Sequence, residues 1–310
     1  MSKHINQTCI IGNGVHSKRI QKILKNKKID FIVFKPKSKK NYKRENLDKL
    51  KKYKFFFIIS PNDTHFHYIS KFCKNSYIFC EKPPTNNFNE LNKLKKINPS
   101  KIYFNFNFRF SRISKILTDS KKFGLGKFIY SNITTGHGLA FKRIYKKSWR
   151  SNKKKCPTGV FEMLAIHWID LINFIFKIKK IKNFELKNLS QIGNSYDNCN
   201  LNLLTENNAV IDIFCSYTSP VINKKIFLFK NGIIQQDEDK IEIRGPALNY
   251  DKNNFLKKPK LIKKEILNEK KDYLNSLKLS IEYFFKQIKK KRNFSKTEFK
   301  ESLKINKLIL

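Results

Sequence analysis

Residues able to seat an anion and to move a proton fall at three places in the chain. Gly12-Asn13-Gly14-Val15-His16-Ser17 follows the apolar run Thr8-Cys9-Ile10-Ile11. In such a turn the first glycine makes the bend and the second lets the backbone approach a pyrophosphate. A small third residue, here Ser17, lets the following helix pack closely on the strand. Lys82, in Cys80-Glu81-Lys82-Pro83, ends another apolar run. A cation at the carboxyl end of a strand lies in the crevice where parallel sheets bind ligands. His167 sits within the helical stretch Val160 to Phe176. An imidazole titrates near neutrality and suits a general base, while an apolar helix can equally keep a histidine in its core. The residues alone leave both readings open.

A dinucleotide turn also predicts an acid at the end of the second strand, roughly 20 residues on, to bond the ribose hydroxyls of NAD. The run there is Phe34-Lys35-Pro36-Lys37-Ser38. Lys35 stands about where the acid would, and a cation suits a 2′-phosphate. The expected cofactor is therefore NAD(P), with NADP(H) weakly preferred. The other reading makes Lys35 and Lys37 two more surface lysines.

The elements that must position these residues alternate in type. Strand-like stretches at Thr8 to Ile11, Asp30 to Phe34, Phe55 to Ser60, Tyr77 to Cys80 and Ile102 to Phe108 are separated by helix-like ones. Those helices are expected at Ser17 to Leu24, Leu47 to Lys54, Tyr68 to Lys74 and Phe88 to Lys96. Strands separated by helices of this length pair in parallel through right-handed crossovers, so residues 1–120 are expected to form an α/β, doubly wound Rossmann domain that binds NAD(P).

After Gly124-Leu125-Gly126 the pattern changes. One long helix is followed by strand candidates at Asn200 to Leu204, Val210 to Tyr217, Lys225 to Phe229, Ile233 to Gln235 and Lys240 to Ile243. Asn207-Asn208 and Asn231-Gly232 are placed as hairpin turns. Residues 121–310 are expected to form an α+β domain with a mostly antiparallel open sheet for substrate binding and dimerisation. Amphipathic helices at Tyr273 to Lys289 and Thr297 to Leu310 close it, and Lys257 to Lys271 reads as a lysine-rich linker.

Composition excludes several classes. An apolar fraction of 40% and an aromatic fraction of 14% belong to a packed protein. The six cysteines are scattered without a CxxC pair, and His65 and His67 have no ligand partners nearby in sequence. Reduced, mostly buried thiols and no metal are expected. The net charge of +42, from 66 basic and 24 acidic residues, is spread along the chain and not gathered into a stripe. It reads as solvated surface, with no specific nucleic acid and no membrane partner. The amino terminus leaves no room for a signal peptide, and Leu164 to Ile178 is interrupted and too short to span a bilayer. A soluble cytoplasmic protein is expected.

Ser60-Pro61-Asn62-Asp63-Thr64-His65 and Glu81-Lys82-Pro83, with the glycine turn, closely resemble the Gfo/Idh/MocA oxidoreductases, which include glucose-fructose oxidoreductase and inositol dehydrogenases. Asn105-Phe106-Asn107-Phe108-Arg109-Phe110 and Gly124-Leu125-Gly126-Lys127 add to the likeness. So do Trp149-Arg150 followed by Gly159 to Asp170, and Phe294 to Leu310. The resemblance spans most of the chain, and Glu-Lys-Pro is its most specific piece.

The resemblance implies a nicotinamide-dependent oxidoreductase acting on a carbinol carbon of a sugar, cyclitol or nucleotide-sugar. It implies that Gly12, Asn13, Gly14, Val15 and Lys35 hold the cofactor, with Ser60, Pro61, Asn62, His65, Glu81 and Lys82. Lys82 and His167 are the implied catalytic pair. Asn107, Arg109, Trp149, Arg150, Glu162 and Met163 join them toward substrate. An aspartate is expected one helical turn before His167, and Met163 stands there. Glu162, about 100° around the helix, replaces it only if the backbone shifts. Asp170 is a candidate to orient the imidazole. Homo-oligomers through the second sheet are expected. The alternative is a catalytically impaired family member that binds the cofactor and acts as a binding or regulatory protein.

Overall fold

The computed structural model describes residues 7–35, 46–246, 249–308 and 310. It divides into two compact units, residues 1–107 with 277–310, and residues 108–276. The first unit runs β1 (Thr8–Ile11), α1 (Val15–Asn26), β2 (Phe31–Phe34), β3 (Phe55–Ile58), α2 (His65–Phe72), β4 (Tyr77–Glu81), α3 (Phe88–Leu94) and β5 (Ile102–Asn105). Its sheet has the order β2-β1-β3-β4-β5 and is parallel throughout. Strands β1, β3 and most of β4 are buried on both faces, as expected of a parallel sheet covered by helices. The strand order reverses between β1 and β3, and their carboxyl ends form the switch point at which such sheets bind ligands.

Two local expectations are corrected here. Leu47 to Lys54 contains only a short 3-10 turn at Asp48–Leu50. Leu47 and Leu50 are its buried apolar residues, and one tight turn hides both without a longer helix. Strand β5 stops at Asn105 instead of reaching Phe108, because Phe106 N turns back to Phe104 O and a 3-10 turn follows over Asn107–Phe110.

The second unit contains α4 (Arg112–Thr118), β6 (Phe128–Gly136), α5 (Ile166–Phe176), β7 (Ile178–Lys187), β8 (Asn198–Thr205), β9 (Val210–Ser216), β10 (Ile222–Phe229), β11 (Gly232–Asp237), β12 (Lys240–Arg244), β13 (Leu261–Ile266) and the start of α6 (Glu269–Lys289). Its sheet runs β13-β12-β11-β10-β6-β9-β8-β7 and is antiparallel except where β6 lies parallel to β9. Phe176 of α5 stacks on Phe128 of β6, ring centroids 3.9 Å apart.

Three of these strands, β6, β7 and β13, were not foreseen. Strands β7 and β13 are largely exposed edge strands rich in lysine, without the apolar alternation that marks a half-buried strand. The expected linker at Lys257 to Lys271 therefore contains β13, held to β12 by a ladder from Lys240 to Arg244. The hairpin after β10 turns at Lys230-Asn231, one residue earlier than expected, because Gly232 already pairs with Phe229.

The end of the chain belongs elsewhere than the expected boundary at 120/121 puts it. Ile281 and Phe284 of α6, with Phe294, join Ile10, Ile20, Phe57 and Phe79 in one core of the first unit. Helix α7 (Lys296–Leu308) is tied to the same unit through Asn306, whose side-chain amide accepts from Thr85 N at 2.8 Å and donates to Thr85 O at 2.9 Å. The structure therefore groups residues 277–310 with the first unit. Five of the six cysteines are buried and none is in a disulfide. Among the described residues no helix is long and apolar enough to cross a membrane, and no cluster of metal-ligating side chains occurs.

Candidate functional site

The two glycines of the first turn differ in what demands them. Gly12 has φ +108°, and a Cβ there would lie 2.4 Å from the Ile59 carbonyl oxygen. The close approach of the β1 and β3 ends therefore requires glycine for the fold itself. Gly14 has φ −77°, a value open to any residue, and a Cβ there would meet nothing within 4 Å. Nothing among the described residues demands glycine at 14, and none of them fills the space beside it.

Helix α1 begins directly after Gly14 and carries no acid in its first turn. The first-turn N–H groups of a helix and its dipole favour an anion there. Ser17 is fully buried and donates to Gly12 O at 2.8 Å, so the small third residue ties the helix back to the turn. Gln21 donates to Asn13 Oδ1 at 3.2 Å. Val15 is exposed. These features fit a dinucleotide pyrophosphate. Lys35, just past β2, is exposed; Lys37 and Ser38 lie outside the described residues.

At the end of β3, the Ser60 and Thr64 hydroxyls share a 2.5 Å hydrogen bond, and Thr64 also donates to Pro61 O. Pro61 leads into a 3-10 turn over Asn62–Thr64, in which Asn62 is buried. His65 begins α2. Its Nδ1 lies 2.8 Å from Pro83 O and its Nε2 2.9 Å from Ser60 O. The ring thus bridges the β3 end to the loop after Lys82. Burial pushes its pKa below the ordinary imidazole value, against the opposing pull of the two carbonyls and of Glu81 and Asp63.

Glu81 and Lys82 are both nearly buried, at 8% and 7% exposure. Glu81 Oε1 lies 2.8 Å from His16 Nε2 and accepts from Asn105 Nδ2 at 2.5 Å. Asn105 Oδ1 accepts from Ser280 Oγ at 2.6 Å, and that hydroxyl lies 2.8 Å from Tyr103 OH. Burial alone would raise the Glu81 pKa; the charge and hydrogen bond of His16, the Asn105 amide and Lys82 outweigh it and hold the carboxyl below its ordinary value. The chain reaching from His16 to Tyr103 lies wholly in the first unit. Sequence reading missed His16, Asn105 and Ser280, since no local signal joins positions so far apart.

In the second unit the helix around His167 opens with a π-helical turn, Phe161–Ala165, before α5. Such turns add about one residue per turn and recur at functional sites. Glu162 is buried, and its Oε1 accepts from Thr158 N at 3.2 Å, closing the start of the helix. Met163 and His167 are both half-buried. The His167 ring stacks on Phe108, centroids 4.3 Å apart and planes 17° from parallel.

Asp170 is fully buried and bonds both oxygens to Arg109, at 2.8 Å from Nε and 2.6 Å from the terminal nitrogen. The Arg109 guanidinium lies 5.2 Å over the Phe174 ring. Arg109, expected toward substrate, and Asp170, expected to orient the imidazole, are therefore joined in an ion pair. Asn107 is buried in the 3-10 turn after β5. Trp149 and Arg150 lie together on a short turn, the guanidinium 4.7 Å over the indole.

Lys225, which sequence reading passed over, is 1% exposed and lies 4.8 Å over the Trp168 ring. Burial pushes its pKa down to about 8, with Glu269, Glu238 and Asp272 opposing.

Comparison with known proteins bears on these two units. Residues 117–245 match the family model described as the GFO/IDH/MocA C-terminal domain. By sequence the chain matches no curated protein. Its structure is similar to that of levoglucosan dehydrogenase in complex with NADH and L-sorbose, with a TM-score of 0.79 at 14% identity over 98% of this chain and 94% of that one. An oxidoreductase from Thermotoga maritima superimposes with a TM-score of 0.77 at 18% identity, over 99% of this chain and 95% of that one. A dehydrogenase from Clostridium difficile does so with a TM-score of 0.72 at 16% identity, over 99% and 98%. Residues 117–245 thus match the GFO/IDH/MocA C-terminal domain model, and the chain, with its parallel and mostly antiparallel sheets, has the fold of these oxidoreductases and dehydrogenases.

Proposed function

We propose that this protein is an NAD(P)-dependent oxidoreductase that transfers a hydride between nicotinamide and a carbinol carbon of a sugar, cyclitol or nucleotide-sugar. The observation that carries this reading is Gly14: a glycine that no neighbour among the described residues requires, at the N-terminus of a helix free of acids in its first turn, at the switch point of a parallel sheet. Similar structures support the class. They include levoglucosan dehydrogenase with NADH and levoglucosan, and an oxidoreductase from Agrobacterium radiobacter with NAD+ and L-tartaric acid.

The cofactor supplies the hydride acceptor when bound. Gly12 to Val15 and the strand-end residues Ser60 to Asn62 seat it, with His65 and Glu81 holding the loops. Lys35, a cation where an acid would serve NAD, carries a preference for NADP(H). His167, its ring set by Phe108, takes the hydroxyl proton, and Lys82 donates to the substrate oxygen. Asn107, Trp149 and Arg150 contact substrate hydroxyls. The second sheet pairs with another copy, and the protein works in the cytoplasm.

The experiment is a titration with NADH and NADPH followed by nicotinamide fluorescence, then a turnover screen over polyols and nucleotide-sugars. Binding of both cofactors, tighter for NADPH, and oxidation of at least one polyol are expected. Lys82→Ala and His167→Ala each slow single-turnover hydride transfer on the order of a hundredfold. Tighter NADH binding removes the NADP(H) preference, and unchanged rates in both variants reject the catalytic assignment. Met163 beside His167 favours a second reading, cofactor binding without catalysis. Under that reading the wild type binds cofactor without turnover, and Met163→Asp gains activity.

A further inference from the structure

We propose that Lys225 is a positioning residue whose ammonium fixes the Trp168 ring and, through Phe108, the ring of His167. The inference rests on the reading of His167 as the general base and extends it to a residue on another element. All four side chains belong to the second unit. Phe108 touches two consecutive residues of α5 at once, stacking on His167 with centroids 4.3 Å apart and meeting Trp168 edge to face at 4.9 Å. From β10, the Lys225 nitrogen lies 4.8 Å over that same indole. A line of three rings thus has a buried cation at one end and the imidazole at the other.

The indole depends on these contacts. Trp168 is buried, and its Nε1 finds no hydrogen-bond partner among the described residues. A buried indole usually has its N–H held by an acceptor. Here the ring is oriented by Lys225 and Phe108, which meet it directly. Lys225 is anchored in its turn. It donates to Asn223 Oδ1, the Asn223 amide donates to Glu269 at the start of α6, and Asn223 N donates to Glu238 Oε1 at 3.2 Å. Its neighbours across the sheet, Ile133 on β6 and Gln236 on β11, are uncharged.

Stability does not account for the charge. Glu269 and Asp272 on α6 and Glu238 in the turn after β11 attract the ammonium, yet burial outweighs them and pushes its pKa down to about 8. None of the three carboxylates forms an ion pair with it among the described residues. A base whose pKa falls on folding destabilises the fold while it is protonated. That cost is full below the folded pKa and fades as pH rises toward the ordinary lysine value of about 10.4. An apolar side chain of similar length would avoid it. The cation therefore works against the fold at neutral pH, while its attraction to a ring face is strongest in a desolvated place such as this. Its use lies in the ring it holds.

The test follows Trp168 emission, the His167 ring signals and the hydride-transfer rate with lysine, methionine and arginine at position 225. Of the two tryptophans, Trp149 is replaced, as Trp149→Phe, for the fluorescence alone. Emission is expected to titrate with a midpoint of about pH 8 in the chain with Lys225 and to stay flat in Lys225→Met and Lys225→Arg. In proton NMR the His167 ring signals, identified by their loss in His167→Gln, lie upfield because Phe108 stacks on the imidazole. Lys225→Met moves them toward ordinary positions and Lys225→Arg largely restores them. With a polyol found by the turnover screen, Lys225→Met slows single-turnover hydride transfer about tenfold and changes KM by less than about twofold, and Lys225→Arg recovers most of the rate. Lys225→Met melts at or above the wild-type temperature at about pH 7. Emission that is flat with Lys225 or still titrates in Lys225→Met, His167 signals unmoved in Lys225→Met, an unchanged rate, or a variant that melts well below the wild type each overturns the proposal. Should no polyol turn over, the oxidoreductase reading fails, while emission and the ring signals still decide whether Lys225 sets the two rings.

Discussion

The two units hold their candidate residues by different means. In the first, each residue sits at the end of a short buried strand: Gly12 after β1, Ser60 after β3, Lys82 after β4. Backbone geometry there follows from three or four adjacent residues. In the second, His167 and Met163 depend on the register of a helix that opens with a π turn, and Arg109 finds Asp170 across 61 positions. A strand-end site is written locally, whereas a helix-face site depends on long-range pairing.

The sharpest way to break that contrast is to cut the long-range pair. Asp170→Ala leaves the Arg109 guanidinium, 11% exposed, without its carboxylate. A loss of about 3–5 kcal/mol is expected by denaturant unfolding, since removing one partner strands the other charge. A change below about 1 kcal/mol would mean that the pair is ornamental and the two units are held alike.

Next in size are the two glycines. Gly12→Ala meets both a positive φ and a carbonyl at 2.4 Å, and should cost roughly 1–3 kcal/mol or more. Gly14→Val should stay within about 0.5 kcal/mol of the wild type in stability while weakening NADH on the order of tenfold, because it fills space used only by a ligand. Equal stability losses at both positions would erase the distinction between a glycine for the fold and a glycine for the ligand.

The smallest effect concerns acid. Arg112 grips Glu265 at 2.7 and 2.5 Å, and the hydrogen bond from Arg112 is the main cause that lowers the carboxyl pKa to about 2, against desolvation. A carboxyl depressed on folding stabilises the protein above its unfolded pKa, and that contribution fades as pH falls from about 4.5 toward about 2. Melting temperatures of the wild type and Glu265→Gln should differ at pH 7 and converge in that window. A constant difference down to about pH 2.5 would contradict the assignment.

What the sequence made legible follows the same division. The alternating apolar runs placed all five strands of the first sheet, and the glycine, Ser60-Pro61-Asn62 and Glu-Lys-Pro motifs marked three strand ends. Strand β5 came out too long because nothing in Phe106-Asn107-Phe108 signals the turn that Phe106 N makes to Phe104 O. In the second unit β7 and β13 escaped notice since edge strands exposed to water need no apolar alternation. Lys225 was hidden by abundance: among 66 basic residues, the sequence does not single out the one over Trp168. His16 was overlooked for a different reason, its partner Glu81 lying 65 positions away.

The return of residues 277–310 to the first unit has a consequence for synthesis. A ribosome releases β1 to β5 early, yet Ile281, Phe284 and Phe294, which complete their core, emerge only after all of residues 108–276. Domains usually fold as they appear. Here the nascent amino-terminal sheet must wait with Phe57 and Phe79 uncovered, a long interval in which chaperones can act. A ribosome that stops early, anywhere before Leu277, leaves a chain that lacks part of its first core and not merely its tail.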